Sequence, residues 1–156
     1  MNEYFDHFET PLGLMEIRAN NAAVLSINFV ETVQQKRTNK VTDLAKSELL
    51  EYFDGERKTF NLPLAPEGTD FQQQVWKALT TVKYGDTCSY SDIATKIKNP
   101  KAVRAVGAAN GKNPMTIVVP CHRVIGQDGS LTGYASGTKR KAWLLEHESQ
   151  QASIDF

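Results

Sequence analysis

Residues 91–109 read SDIATKIKNPKAVRAVGAA, and the folding of this stretch decides the architecture of the chain. Ile93, Ala94 and Ile97 recur at helical spacing between Ser91 and Lys98, and Asn99-Pro100 then interrupts the run. The same dipeptide suits a helix start. With Asn99 as N-cap and Pro100 at the first helical position, a second helix is predicted from Lys101 to Ala109. Two short helices around a tight turn make a helix-turn-helix. The second helix holds Ala102, Ala105, Gly107, Ala108 and Ala109 where a core helix would hold leucine or isoleucine, and Arg104 projects from it. Small residues admit close approach of another surface. That surface is either a neighbouring helix or a nucleic-acid groove, with Asn99 and the first backbone N–H groups facing a phosphate. Lys98, Lys101, Arg104 and Lys112 gather here, which favours the groove.

Upstream, Thr69-Asp70-Phe71-Gln72 has the form of a capping box. Phe71, Val75, Leu79 and Val82 then form one apolar stripe that ends at Gly85. Residues 61–68, with two prolines and a glycine, read as a linker. Before it, Val41, Leu44, Ala45, Leu49, Tyr52 and Phe53 fall at helical spacing, and Gly55 sits at the helix end. The first thirty residues alternate instead: strands around residues 4–8, 14–18 and 24–29 are separated by turns at Thr10–Gly13 and Asn20-Asn21. The expected fold is therefore mixed α/β. It has a small antiparallel N-terminal domain over 1–65, a helical domain over 66–150 and a tail over 151–156.

The 156 residues are 40% hydrophobic, enough for a real core, and eighteen basic residues balance eighteen acidic ones. The neutral total hides a bias. Residues 1–88 hold 9 Lys/Arg and 13 Asp/Glu, whereas residues 89–148 hold 9 and 4. A basic C-terminal half attracts phosphates locally; a merely solvated face accounts for the count equally well. No apolar run approaches the roughly 18 residues of a membrane span, and the first residues lack a signal-peptide pattern. Two cysteines, Cys88 and Cys121, exclude a disulfide framework and a four-cysteine zinc module. A cytoplasmic, reduced chain is expected, without membrane association.

The stretch Ile117-Val118-Val119-Pro120-Cys121-His122-Arg123 delivers a cysteine from an apolar, strand-like run directly before two potential cations. Arg123 and a proton-accepting His122 would favour the nucleophilic thiolate. A metal site fits poorly, because the cysteines are far apart and His7, His122 and His147 show no ligand spacing. A redox pair fails for the same reason. A covalent nucleophile remains, with His122 working through a water, since adjacent residues do not set thiol and imidazole side by side. Glu148, at the end of a helix expected over 140–148, is a candidate to orient His122. Cys88, between Thr87 and Ser89, reads as a small buried hydrophobe.

Pro120-Cys121-His122-Arg123-Val124-Ile125, Gly133-Tyr134 and Lys141-Ala142-Trp143-Leu144-Leu145-Glu146-His147-Glu148 closely resemble the O6-alkylguanine-DNA alkyltransferase family. So do Tyr84-Gly85, Ser89-Tyr90, Asn99–Gly107 and Asn113-Pro114 upstream. The resemblance is dense over residues 69–148 and general over the first 65. It implies a three-stranded ribonuclease-H-like domain packed on an all-helical domain with a helix-turn-helix. It also implies stoichiometric, irreversible transfer of an alkyl group from guanine O6, and by extension thymine O4, to Cys121. His122 would take the thiol proton through a water and Glu148 would hold the imidazole. Tyr90 would donate to the leaving purine or crowd the 3′ phosphate, and Arg104 would replace the extruded base. Asn113 would brace the turn that presents Cys121, Ser91, Asn99 and Gln127 would contact the backbone, and Tyr134 would line the substrate site. The partner is double-stranded DNA carrying O6-alkylguanine, bound by a monomer through its minor groove, with no cofactor and no metal. The cellular site is the cytoplasm, or the nucleus in a eukaryote. Two other readings compete: a lesion-binding relative without transfer, which lacks the acceptor cysteine, and a plain helix-turn-helix regulator.

Overall fold

The structure is a computed structural model that describes residues 2–33, 35–131, 134 and 136–154, the last four by backbone alone. Gly133, Ala135 and the end of the tail lie outside it. The chain divides into two compact units. One comprises Met1–Glu67 with Pro114–Val118, and the other Gly68–Asn113 with Val119–Phe156.

The first unit is an antiparallel sheet in the order β1 (Tyr4–Thr10), β2 (Gly13–Ala19), β3 (Val24–Phe29), with a helix α1 (Lys40–Phe53). Registers run from Tyr4 opposite Ala19 to Thr10 opposite Gly13, and from Met15 opposite Phe29 to Ala19 opposite Val24. The first turn is tight because Gly13 takes φ 121° while Thr10 Oγ1 donates to Gly13 O at 2.8 Å. Strand alternation buries Phe8, Met15, Ile17, Ala19, Val24 and Ile27. Helix α1 starts at a capping box of Asn39 and Thr42 and buries Ala45, Leu49 and Tyr52. Leu44, expected on that stripe, is 43% exposed; Thr42 and Glu48 occupy the buried face with the apolar residues.

Two segments outside its strands and helix join this unit. The linker pairs with β3, Val24 N donating to Pro63 O and Ala65 N to Val24 O. Residues 114–118 do the same further along, through Ile27 N to Pro114 O and Thr116 N to Ile27 O. Both satisfy backbone groups on β3, which the local sequence does not announce.

The second unit is helical with one short parallel pair: α2 (Asp70–Leu79), β4 (Cys88–Ser89), α3 (Tyr90–Lys96), α4 (Val103–Gly111), β5 (Val124–Ile125) and α5 (Thr138–Ile154). The Thr69/Gln72 capping box of α2 forms as expected. The main anchor of α2 is Trp76, whose Nε1 donates to Ala109 O at 2.9 Å, whereas Phe71 is only half-buried. Gly68 is required beside that indole: a Cβ there would lie 2.4 Å from Cη2. Helix α3 is capped by Ser89 with Asp92, so Ser91 lies within it.

The second helix of the pair starts later than the sequence suggests. Asn99 is not its N-cap: Ala102 N donates to Asn99 O at 3.0 Å, closing a β-turn, and α4 begins at Val103 without a side-chain cap. The fixed φ of Pro100 suits the second position of that turn as well as a first helical turn. Among the described residues, no helix is long and apolar enough to cross a membrane.

Candidate active site

Cys121 is not delivered by a strand. Ile117 adopts φ 74°, and Pro120 sits at φ −82°, ψ 63°, an inverse γ-turn closed by Cys121 N donating to Val119 O at 2.8 Å. Cys121–Arg123 then form one 3-10 turn leading into β5. Asparagines from the end of α4 hold the carbonyls on both sides of Pro120. Asn113 Nδ2 donates to Val119 O at 2.8 Å, and Asn110 Nδ2 to Cys121 O at 3.3 Å. The turn's β-branched approach reads as a strand locally, but these side chains take the place of a ladder partner.

Beside it lies a buried ionic cluster. His122 Nε2 is 2.7 Å from Glu148 Oε2, and Arg123 grips the same carboxylate through Nε at 2.7 Å and Nη2 at 3.0 Å. The third guanidinium contact is Nη1 to Val82 O at 2.7 Å. Burial alone would raise the Glu148 carboxyl; the hydrogen bonds from His122 and Arg123, with the guanidinium charge, outweigh it and hold the group at about 2. Burial lowers the His122 imidazole, against the pull of Glu148. The histidine is therefore neutral at pH 7, and its proton lies on Nε2, facing the carboxylate. Nδ1 is left as an acceptor.

The expectation that Arg123 favours a thiolate is corrected. Its guanidinium is bound to Glu148 and Val82. Cys121 is 6% exposed, and burial pushes its thiol up to about 11 despite the hydrogen bond from Asn113 and the charge of Lys141. The thiol, not the thiolate, is the resting form at pH 7.

Lys141 is the residue the sequence reading missed. It is fully buried, and its ammonium donates to Val124 O and lies 6.0 Å from the centre of the Tyr90 ring. Burial lowers its pKa and Cys121 pulls it back up. A signal existed: Lys141, Leu144 and Glu148 stand at helical spacing on the buried side of α5.

The remaining candidates divide by depth. Tyr134 is buried, and its phenol is raised by burial and then by the charges of Cys121 and Glu148. Tyr90 and Ser91 are half-buried at the start of α3, where Tyr90 packs beside Gly107. Asn99, Arg104 and Gln127 are exposed, Gln127 in the turn between Gly126 and Ser130. Among the described residues, no three His, Cys, Asp or Glu side chains gather as a metal site. Cys88 is half-buried, its thiol raised by burial and by Asp92.

Residues 70–150 match the 6-O-methylguanine DNA methyltransferase DNA-binding domain, and residues 4–66 match the ribonuclease-like domain of the same family. The chain belongs to the 6-O-methylguanine DNA methyltransferase family. It is 48% identical over 156 residues to the constitutive methylated-DNA–protein-cysteine methyltransferase of Bacillus subtilis, covering 93% of this chain and 94% of that one. The Mycobacterium tuberculosis H37Rv methylated-DNA–protein-cysteine methyltransferase is 44% identical over 159 residues, with 98% and 96% covered. The crystal structure of M. tuberculosis O6-methylguanine methyltransferase superposes with a TM-score of 0.89 at 41% identity, over 99% of this chain and 97% of that one. M. tuberculosis OGT in complex with DNA gives 0.88 at 42% identity, over 94% and 93%. In this 6-O-methylguanine DNA methyltransferase family member, the DNA-binding domain match spans Cys121, His122, Glu148 and α4 together.

Proposed function

We propose that this protein repairs DNA by direct reversal, transferring the alkyl group from O6 of guanine to Cys121 in a single irreversible turnover. The observation that carries the reading is the buried Glu148–His122 pair in sequence contact with Cys121. It supplies a neutral imidazole with a free acceptor nitrogen beside a thiol that must lose its proton. In the reaction the sulfur forms a bond to the alkyl carbon as the carbon–O6 bond breaks. The thiol proton passes through a water to His122 Nδ1, and the departing guanine takes a proton in turn, with Tyr90 in place as donor or against the 3′ phosphate. Glu148 stabilises the imidazolium that forms. Displacement at an alkyl carbon transfers no electrons between redox states, so no cofactor is needed. The thioether product leaves poorly, which makes each molecule act once. Thymine O4 offers the same alkyl-ether chemistry.

DNA binding follows from the family and from the relative solved with DNA. The outward side of α4 carries Val103, Arg104, Ala105 and Ala108. Arg104 apart, side chains this small suit a minor groove only about 6 Å wide. The alkyl carbon is out of reach inside the base stack, so the nucleotide must be extruded, with Arg104 filling its place. Ser91, Asn99 and Gln127 are assigned to the DNA backbone, Asn113 to the turn before Cys121 and Tyr134 to the substrate wall. The protein works as a cytoplasmic monomer, and its domains are residues 1–65 and 66–150. A lesion binder without transfer would lack the acceptor, and Cys121 is present.

Incubation with duplex DNA containing O6-methylguanine, followed by peptide mass spectrometry, tests this. One methyl group is expected on the peptide holding Cys121 and none in Cys121→Ala. Methyl on Cys88, or on no peptide, would overturn the assignment.

A further inference from the structure

Helix α4 turns Val106, Ala109 and Asn110 inward, and Asn110 is the polar member of that face at 1% exposure. Its Nδ2 donates to Cys121 O, while its Oδ1 accepts no hydrogen bond among the described residues. The reverse amide orientation would set two acceptors against each other, so the Cys121 carbonyl fixes which atom is which. An unpaired buried amide oxygen is destabilising, and an aliphatic side chain would avoid that. His122 Nδ1 is a second buried acceptor without a partner. Both are tied to Cys121, one through the chain and the other through its carbonyl. Two acceptors cannot satisfy each other. A water, with two protons to give and a lone pair to keep, has the donors that both lack and an acceptor for the Cys121 S–H.

We propose that Asn110 is a positioning residue whose Oδ1 anchors the water through which Cys121 hands its proton to His122 Nδ1. The inference rests on the alkyl-transfer reading and extends it. The helix that carries Arg104 outward also sets the proton path inward. The water accepts the thiol proton as it passes one of its own to Nδ1; sulfur gains the alkyl carbon, and the carbon–oxygen pair leaves with guanine. Asn113, Lys141 and Tyr134 act on the thiol, and Glu148, Arg123 and Lys141 on the imidazole, and all stay in place in the variants.

The test is single-turnover transfer from methylated duplex and from free O6-benzylguanine, over about pH 6 to 10, with duplex affinity measured in parallel. Asn110→Leu is expected to slow both substrates about a hundredfold at neutral pH without changing affinity. The deficit should shrink as pH rises, because hydroxide then takes the thiol proton without the relay. A rate within about twofold of wild type, or a deficit constant with pH, overturns the proposal. If Asn110→Leu does not fold, Asn110→Ala is judged by the same pH profile. Failure of the wild type to take up an alkyl group from either substrate would instead defeat the alkyl-transfer reading, and the inference with it.

Discussion

The two units bury different things. Around the three-stranded sheet the interior is mainly carbon, from Met15, Ile17 and Ile27 to Leu49 and Tyr52. Its few inward charges are held by local structural contacts: Glu48 accepts Asn61 N at 2.8 Å with Arg57 nearby, and Asp6 accepts the amide of His7. The helical unit withdraws His122, Arg123, Lys141 and Glu148 from water beside a cysteine. Apolar burial stabilises by about 25 cal/mol per Å², whereas buried ions at best break even against well-packed hydrophobes. One interior is therefore built for stability. The other gives up stability to hold polar and charged groups beside Cys121.

The contrast breaks if damage to the two interiors has the same consequences. The largest effect is expected from Glu148→Gln, which leaves Arg123 without its buried carboxylate and His122 without a partner that fixes its tautomer. Stability should fall by about 3–5 kcal/mol in chemical denaturation, and alkyl transfer by about a hundredfold or more. Wild-type transfer by the folded variant would show that the cluster is ordinary core. Leu49→Ala, in the sheet unit, should cost about 2–5 kcal/mol while folded protein transfers at the wild-type rate. A slowed transfer would mean that the apolar interior also tunes the reaction.

A smaller effect sharpens the comparison through pH. The folded thiol of Cys121 lies at about 11 against 9.0 for an unperturbed one, so the native state keeps a proton that the unfolded chain releases. Its contribution is intact below pH 9 and lost as pH rises to 11, about 2–3 kcal/mol in all. On the acid side, His122 and Glu148 both titrate lower in the fold than outside it. Stability therefore falls as pH drops below about 6.5 and again below about 4.5. Denaturation midpoints of wild type and Cys121→Ala across this range separate the thiol from the rest: the alkaline loss should shrink in the variant, with Cys88, Tyr84 and Tyr134, which burial also raises, carrying what is left.

Much of this was legible in the sequence where the determinants are local. Strand alternation placed β1, β2 and β3, and the Thr69/Gln72 box placed the start of α2. The Pro-Cys-His-Arg run marked the cysteine and histidine that lie at the buried Glu148 cluster. What escaped depends on distant partners. Arg123 lies beside Cys121 in the chain, but its carboxylate is 25 residues on, so its neighbour in sequence is not the group it serves. Residues 114–118 end in the β-branched run Thr116-Ile117-Val118, and only their pairing with β3 shows which unit they join. Asn99-Pro100 is compatible with a turn and with a helix start, and the tertiary setting chose the turn. Lys141 was masked by its charge, which reads as surface until Leu144 and Glu148 are seen on the same side.

The neutral, enclosed state of the Cys121 sulfur has a further consequence for a reagent that works only once. Peroxides and stray electrophiles react with exposed thiolates, and oxidation beyond the sulfenic stage is irreversible for most proteins. A sulfur that stays protonated until a lesion is seated beside it is shielded from such losses during its wait, at the expense of a slower intrinsic attack.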